Sequence, residues 1–246
     1  MYNQNDTNQA SNLSPVENSL GDIVENIHVD PDEMLSLLRT GDVEQQVIAA
    51  RAFCEIEDQR ATPYLLQMLN NNCSLVRVSV VYALGRNSSS QTVSALINVL
   101  NNDLNGYVRK GAVWALGNSN DRNSLNPLLK ALKNDIPAVR LWAASAIAQI
   151  AKLTYEDVIK ALPTLIEGLR RDPLSAVRSN CVWTVGQLCR ELPVNVVYAT
   201  AVDALIEALV EDEDIGVKED AKGAILRLGD ARGLQMIEDL ELEGII

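Results

Sequence analysis

Aromatic side chains are scarce in this chain: only 4% of its 246 residues are aromatic, and there is a single phenylalanine. A core with few rings must be built from Leu, Val, Ile and Ala, the bulk of the 47% apolar fraction, and that mixture suits close helix packing. Four cysteines occur without a CxxC and without close pairing. They fit thiols in a reducing compartment better than a disulfide framework. No stretch approaches the roughly 18 consecutive apolar residues of a membrane span. The start, MYNQNDTNQASNLSP, has neither the basic end nor the apolar run of a signal peptide. A cytoplasmic protein without membrane insertion is expected. The motifs G-x-x-x-x-G-K-[ST], G-x-G-x-x-G and G-x-S-x-G are also missing, so nothing marks a catalytic constellation. Cations are outnumbered: the formal charge of -12 argues against general affinity for nucleic acid, which requires neutralising positive charge.

What the chain does have is repetition. Val followed by Arg or Lys occurs at Val76-Arg77, Val108-Arg109, Val139-Arg140, Val177-Arg178 and Val217-Lys218, each followed by a run of small and apolar residues such as VRKGAVWALG. A degenerate sixth copy, VIAARAFCEI, begins at Val47, and the six valines lie 29, 32, 31, 38 and 40 residues apart. Such a period marks stacked supersecondary units that share one elongated core.

Residues 1–30 are rich in Asn, Gln, Ser and Asp, lack apolar periodicity and are expected to be a disordered polar leader. Residues 31–246 read as the repeat array. Each repeat starts with an A helix, such as LNPLLKALK or ALPTLIEGLR, whose apolar residues fall at the three-and-four spacing of a buried stripe. A short polar turn follows, then a B helix that opens at the Val-basic pair. Asp103, Asp135, Asp172 and Asp214 stand in four of the turns. There they can cap helix amides or reach an Arg of the same or a neighbouring repeat. Gly85, Gly117, Gly186 and Gly229 lie near the ends of B helices, where tight turns or close approach favour glycine. Residues 231–242 read as an A helix without a partner, fit to cap the array.

The layout P-x-L-L-x-x-L, Asp, Val-Arg, A-x-A-L-G resembles HEAT repeats. The stretch NDLNGYVRKGAVWALGNSNDRNSLNPLLKAL is similar to the HEAT-like phycobilin lyases of the E and F types. CVWTVGQLCRELP, EDEDIGVKEDAKGAILRLG and ARGLQMIEDLE are similar to cyanobacterial HEAT-repeat proteins associated with an A-type iron-sulfur scaffold. The resemblance implies an all-α, right-handed α-solenoid of about six helix pairs plus a C-terminal capping helix. It also implies a role in phycobiliprotein or iron-sulfur maturation, with a phycobiliprotein subunit or iron-sulfur scaffold as partner and a transient bilin or iron-sulfur cluster as possible cargo. The iron-binding His-Glu pairs of HEAT-like deoxyhypusine hydroxylases have no counterpart, since the only histidine is His28. The aromatic-dense first repeat of E-type lyases is missing too, which favours a non-enzymatic scaffold over a lyase subunit.

Counted from each Val, the fourth and seventh residues are small and should be core. The third and sixth share another face, because three residues advance a helix by about 300°. That face gathers Phe53, Tyr82, Trp114, Trp142 and Trp183, and so holds every tryptophan of the chain. By resemblance to HEAT arrays it lines the concave groove. Lys110 and Asn180, with Asn118, Ser179 and Gln187, add polar groups beside it. An aromatic centre with a polar rim suits a protein-binding groove, and the same rings can equally fill space between helices. From Asp203 to Glu243 thirteen acids face four cations, a local balance of -9. Glu211, Asp212, Glu213 and Asp214 are its densest part and the candidate acidic docking face. The Val-basic cations are expected to pair with turn aspartates. Cys54 and Cys181 fall at small core positions, leaving Cys73 and Cys189 as the expected exposed thiols and the only metal-ligand candidates.

Overall fold

The computed structural model describes residues 29–150 and 153–245. Thirteen α-helices and no strand are found among the described residues. The pairs are α1 (Pro31–Thr40) with α2 (Val43–Glu55), α3 (Thr62–Met68) with α4 (Ser74–Arg86), and α5 (Ser90–Asn102) with α6 (Gly106–Asn118). They continue with α7 (Leu125–Asn134) and α8 (Pro137–Gln149), α9 (Tyr155–Arg171) and α10 (Ser175–Cys189), α11 (Val196–Glu211) and α12 (Ile215–Leu228), and end with α13 (Ala231–Leu242). Odd helices up to α11 are the A helices and even ones the B helices. Each packs on its pair mate and on its equivalent in the next pair. The result is a two-layered α-solenoid of six pairs closed by a lone helix. The expected leader lies outside the described residues apart from Val29 and Asp30, whose carboxylate accepts from the Asp32 amide and caps α1.

Sequence pattern accounts for both layers. In the A layer, Leu65/Leu69, Leu96/Leu100, Leu128/Leu132, Leu165/Leu169 and Leu205/Leu209 are buried pairs four residues apart, one turn of helix. In the B layer the Val at the start and the fourth, seventh and eighth residues after it are buried throughout α4, α6, α8, α10 and α12. The fourth and seventh of these, Ala in most repeats, are small because B helices lie close together. A Cβ placed on Gly85 would fall 2.5 Å from the ring of Trp114, so α4 and α6 approach only over a glycine. Gly229 is different: its φ of 68° is left-handed, and it ends α12 so that the chain can turn into α13. The longer intervals before Val177 and Val217 arise because α9 and α11 run to 17 and 16 residues.

The first repeat departs from the expected register. Arg77 begins the rung described below, and Gln46 takes its place in α2. Phe53 then corresponds to Leu84, Leu116 and Ile147, and like them it is fully buried. It belongs to the core and not to the aromatic face. Arg51, exposed, stands where Tyr82 stands in the next repeat. Counting from Val47 places the copy two residues out of phase. Cys54 accordingly matches Gly85, not Ala83, and its thiol donates toward the Ser79 carbonyl of α4 at 3.7 Å.

Candidate functional site

The Val-basic cations build a ladder along the turns between A and B helices. Arg77 donates through Nε and Nη2 to the Asp103 carboxylate at 2.7 and 3.0 Å, across to the next repeat. Arg109 does so with Asp135 at 2.9 and 2.7 Å, Arg140 with Asp172 at 2.6 and 2.9 Å, and Arg178 with Asp212 at 2.8 and 2.9 Å. The remaining Nη1 of each arginine holds a carbonyl of its own turn: Asn71, Asp103, Asp135 and Asp172, at 2.8 to 3.0 Å. Each aspartate also accepts a backbone N–H in its turn, from Asn105, Ile136, Leu174 and Asp214 respectively.

The fourth aspartate of the ladder is therefore Asp212 and not Asp214. Asp214 instead caps α12 by accepting from the Gly216 and Val217 amides. The first rung is neutral, Asn71 donating to Gln46 at 3.3 Å. The last cation, Lys218, donates to the Val210 carbonyl at 2.7 Å. Burial pushes Asp103, Asp172 and Asp212 up, but the hydrogen bonds from Arg77, Arg140 and Arg178, with those of the turn amides, outweigh it and hold all three below the usual carboxylate range. Bidentate, part-buried pairing of this kind is structural, and it leaves these cations committed.

The aromatic face divides into two halves. Tyr82 and Trp114 meet with ring centroids 5.3 Å apart at 49°, each wedged between α4 and α6: Tyr82 lies over Gly111, and Trp114 over Gly85. Both are half-buried and act as inter-repeat packing. Trp142 and Trp183, on α8 and α10, are 37% and 38% exposed. Lys110 sets its Nζ 5.3 Å over the Trp142 ring, a cation–π contact that holds the indole's face beside a positive charge. Asn180 donates to the Leu141 carbonyl at 2.9 Å and Thr184 to the Ala144 carbonyl at 2.8 Å, tying α10 to α8 beneath the two rings. The Ser179 hydroxyl meets the Asp220 carboxylate of α12. What is presented outward is thus a pair of tryptophans flanked by Lys110, on a backbone pinned from below.

The acidic stretch is less available than its composition implies. Asp212 is enclosed with Arg178, each side chain 7% exposed, and Asp214 is taken up as a cap. Glu211 and Glu213 remain exposed.

Cys189 is buried, against expectation, on the inner side of α10, and burial pushes its thiol up to about 12. Cys181 is likewise held at about 12 and Cys54 at about 11, in both cases chiefly by burial. Cys73 lies half-exposed just before α4. Among the described residues no three His, Cys, Asp or Glu side chains come together as a metal site. The cysteines present do not converge as a cluster held by this chain would need. Nor is any described helix long and apolar enough to cross a membrane.

The valine pattern does not single out the apolar side chains exposed in the turns before the B helices, Leu104, Ile136 and Leu174, or in the first turn of the B helices themselves, Leu75, Tyr107 and Ile215. A signal was present, since each falls within four residues upstream of a Val-basic pair.

Family models for HEAT repeats match residues 31–110 and 93–162, and a further HEAT repeat matches residues 161–192. No curated protein matches the sequence. Among solved structures, the CpcE and CpcF complex of phycocyanin lyase from Nostoc sp. PCC7120 is similar at 19% identity and TM-score 0.60, over 87% of this chain and 82% of that one. A designed armadillo repeat protein in complex with the peptide (KR)4 is similar at 20% identity and TM-score 0.63, over 81% of this chain and 100% of its own. The Escherichia coli protein YibA gives 19% identity and TM-score 0.61, over 97% and 82%. Identities this low carry the fold alone. With its helix pairs, its ladder and the span of its sequence matched, the chain belongs to the HEAT-repeat family.

Proposed function

We propose that this chain is a non-enzymatic scaffold or maturation factor that holds a protein partner on its B-helix face. The observation that carries the reading is the exposure of Trp142 and Trp183 at 37% and 38%, on the neighbouring B helices α8 and α10, in a chain with so few rings. Large aromatics exposed at the centre of a rigid face are the usual anchors of a binding hot spot. Lys110 over Trp142 adds a charge that orients the partner, and Asn180 fixes the backbone under it. Tyr82 and Trp114 extend the surface while serving mainly as packing. Glu211 and Glu213 steer a basic region of the partner, acting on association rate more than on affinity.

The partner classes we favour are a phycobiliprotein subunit or an iron-sulfur scaffold. A second reading, a phycobilin lyase subunit that attaches a bilin to a phycobiliprotein cysteine, draws on the likeness to the phycocyanin lyase complex. The test is a titration of purified phycobiliprotein apo-subunits and of an A-type iron-sulfur scaffold onto the immobilised chain. Trp142→Ala should weaken binding by about 2 kcal/mol without lowering the melting temperature, and Glu211→Gln with Glu213→Gln should chiefly flatten the salt dependence. Full affinity in the folded Trp142→Ala variant would remove the anchor. Added bilin whose visible absorbance shifts in the presence of the chain would favour the lyase reading.

A further inference from the structure

Two A helices are longer than the repeat requires. α9 and α11 have 17 and 16 residues, whereas α1, α3, α5 and α7 have 10, 7, 13 and 10. The excess lies at their N-terminal ends, because α5, α7, α9 and α11 all stop at a ladder aspartate. It is apolar on the outside: Tyr155 and Ile159 of α9 are 42% and 41% exposed, and Val196 of α11 is 78% exposed. Pro163, one turn beyond Ile159, is exposed as well. At the same distances ahead of its ladder aspartate as Ile159 and Pro163, α5 carries Ser90 and Ser94, and α7 has Asn126 in the place of Pro163. The outer face of the A layer is thus polar on α5 and α7 and turns apolar at α9.

α9 and α11 flank a groove of about 530 Å³. Buried Leu162 and Ile166 lie along it, with Ile159 and Pro163 on one side and Val197 and Thr200 on the other. The two helix starts are tied together, since Asn195 donates to the Tyr155 hydroxyl at 2.8 Å while its own side-chain oxygen caps α11. Toward the end of α9 the groove meets Glu167, Arg170 and Arg171. Lys133 already holds Glu167, and Glu207 holds Arg170. Arg171 is exposed and has no ion pair among the described residues. At the opposite end Glu156 and Lys160, both exposed, stand four residues apart and offset each other. One cation is therefore left over, at the C-terminal end of α9.

The exposed rims decide the kind of occupant. Small ligands are held where most of their surface is buried, and here one side would stay in water. Tyr155, Ile159 and Pro163 instead recur one turn apart, the stripe by which one helix meets another, and an amphipathic helix laid in a groove brings its own cover. From Ile159 to Arg171 the groove runs about 18 Å, roughly three turns of such a helix. Charge sets its direction. Carboxylates are favoured in the first turn of a helix, and Arg171 is the cation free to receive them, so the guest helix runs antiparallel to α9.

We propose that the groove between α9 and α11 is a second docking surface, in the layer opposite the tryptophans. It takes an amphipathic helix of a partner protein whose acidic first turn lies against Arg171.

The probe is a labelled synthetic peptide with leucines on one helical face and glutamates in its first turn, titrated against the full chain by fluorescence anisotropy. Ile159→Ser combined with Val196→Ser changes exposed side chains and should weaken the peptide by about tenfold or more, whereas Trp142→Ala leaves its affinity unchanged. Arg171→Glu should also weaken it, and should bind a peptide with lysines in place of the glutamates more tightly than the wild-type chain does. Absence of saturable binding to the wild-type chain overturns the proposal. So does equal binding of a peptide of the same composition whose leucines do not share a face, or an affinity that neither groove variant alters. A wild-type dimer that Ile159→Ser with Val196→Ser turns into a monomer overturns it too, because a second copy would then fill the groove.

Discussion

Cys73 and Cys189 look alike in sequence, each set at the margin of a helix, yet they meet opposite environments. Cys189 falls on the inward side of α10 with Leu188 and Leu192 nearby in the core, and its thiol is pushed up to about 12. The attacking species is the thiolate, which such a thiol scarcely forms. With an excess of a disulfide reagent at mildly alkaline pH, one thiol per chain should react rapidly, and Cys73→Ser should abolish that phase. A second fast thiol, surviving in Cys73→Ser and lost in Cys189→Ser, would contradict the burial of Cys189. Phe53 teaches the same lesson. Most core positions were legible because Val, Ala and Leu recur at fixed offsets, but in the degenerate first copy a valine two residues late reads as the anchor. Only packing against α4 reveals the true phase.

At the scale of the helix pair, the pairing of Val-basic cations with turn aspartates was legible from sequence, and its direction was not. For Arg109, Arg140 and Arg178 an aspartate of the same turn lies only six, five and six residues upstream, yet helix stacking selects the one in the following turn, 26, 32 and 34 residues on. Arg178 and Asp212 form the most enclosed rung, each side chain 7% exposed. Removing one partner of such a buried pair leaves a desolvated charge behind and costs roughly 3 to 5 kcal/mol. Arg178→Ala should therefore lower unfolding stability in urea by about 3 kcal/mol or more. Lys218→Ala, at a cation bonded to an exposed carbonyl, should cost below about 1 kcal/mol. Arg178→Met combined with Asp212→Leu should regain much of the loss. A double variant no more stable than Arg178→Ala would mean that the rung contributes through its geometry instead of its charge balance. The tryptophan face was half legible: the shared helical face could be counted from sequence, but the division into a packing pair and an exposed pair depends on Gly85 and Gly111, which admit the first two rings between helices.

The whole molecule combines these local terms into one dependence on pH. Asp103, Asp172 and Asp212 are held below their ordinary value of 3.8. The stability they contribute is complete above that value and is lost as pH falls through the lower values of the folded state. Three thiols, buried or half-buried, act at the other end. Cys54, Cys181 and Cys189 are raised from 9.0 to about 11, 12 and 12. Their contribution is complete below 9.0 and fades as pH rises above it, because the unfolded chain ionises there and the folded one does not. Melting temperature should hold a plateau between about pH 4 and pH 9 and fall on both sides. Cys181→Ala should soften the alkaline fall while leaving the acid fall in place. An alkaline limb unchanged by that substitution would mean that Cys181 does not help to set it.

The ladder also bears on how such a chain can change its length. Its first rung is the neutral pair Gln46 and Asn71, its last cation is satisfied by the Val210 carbonyl, and every turn between passes a carboxylate back and an arginine forward. Cutting at equivalent points in two internal turns removes one arginine together with one aspartate and rejoins a complete rung. Gene duplication or excision of a whole internal helix pair thus leaves no stranded charge, whereas the same event at either end breaks a terminus that has no ionic partner to offer. Growth and shrinkage of the array are open in its middle and closed at its tips.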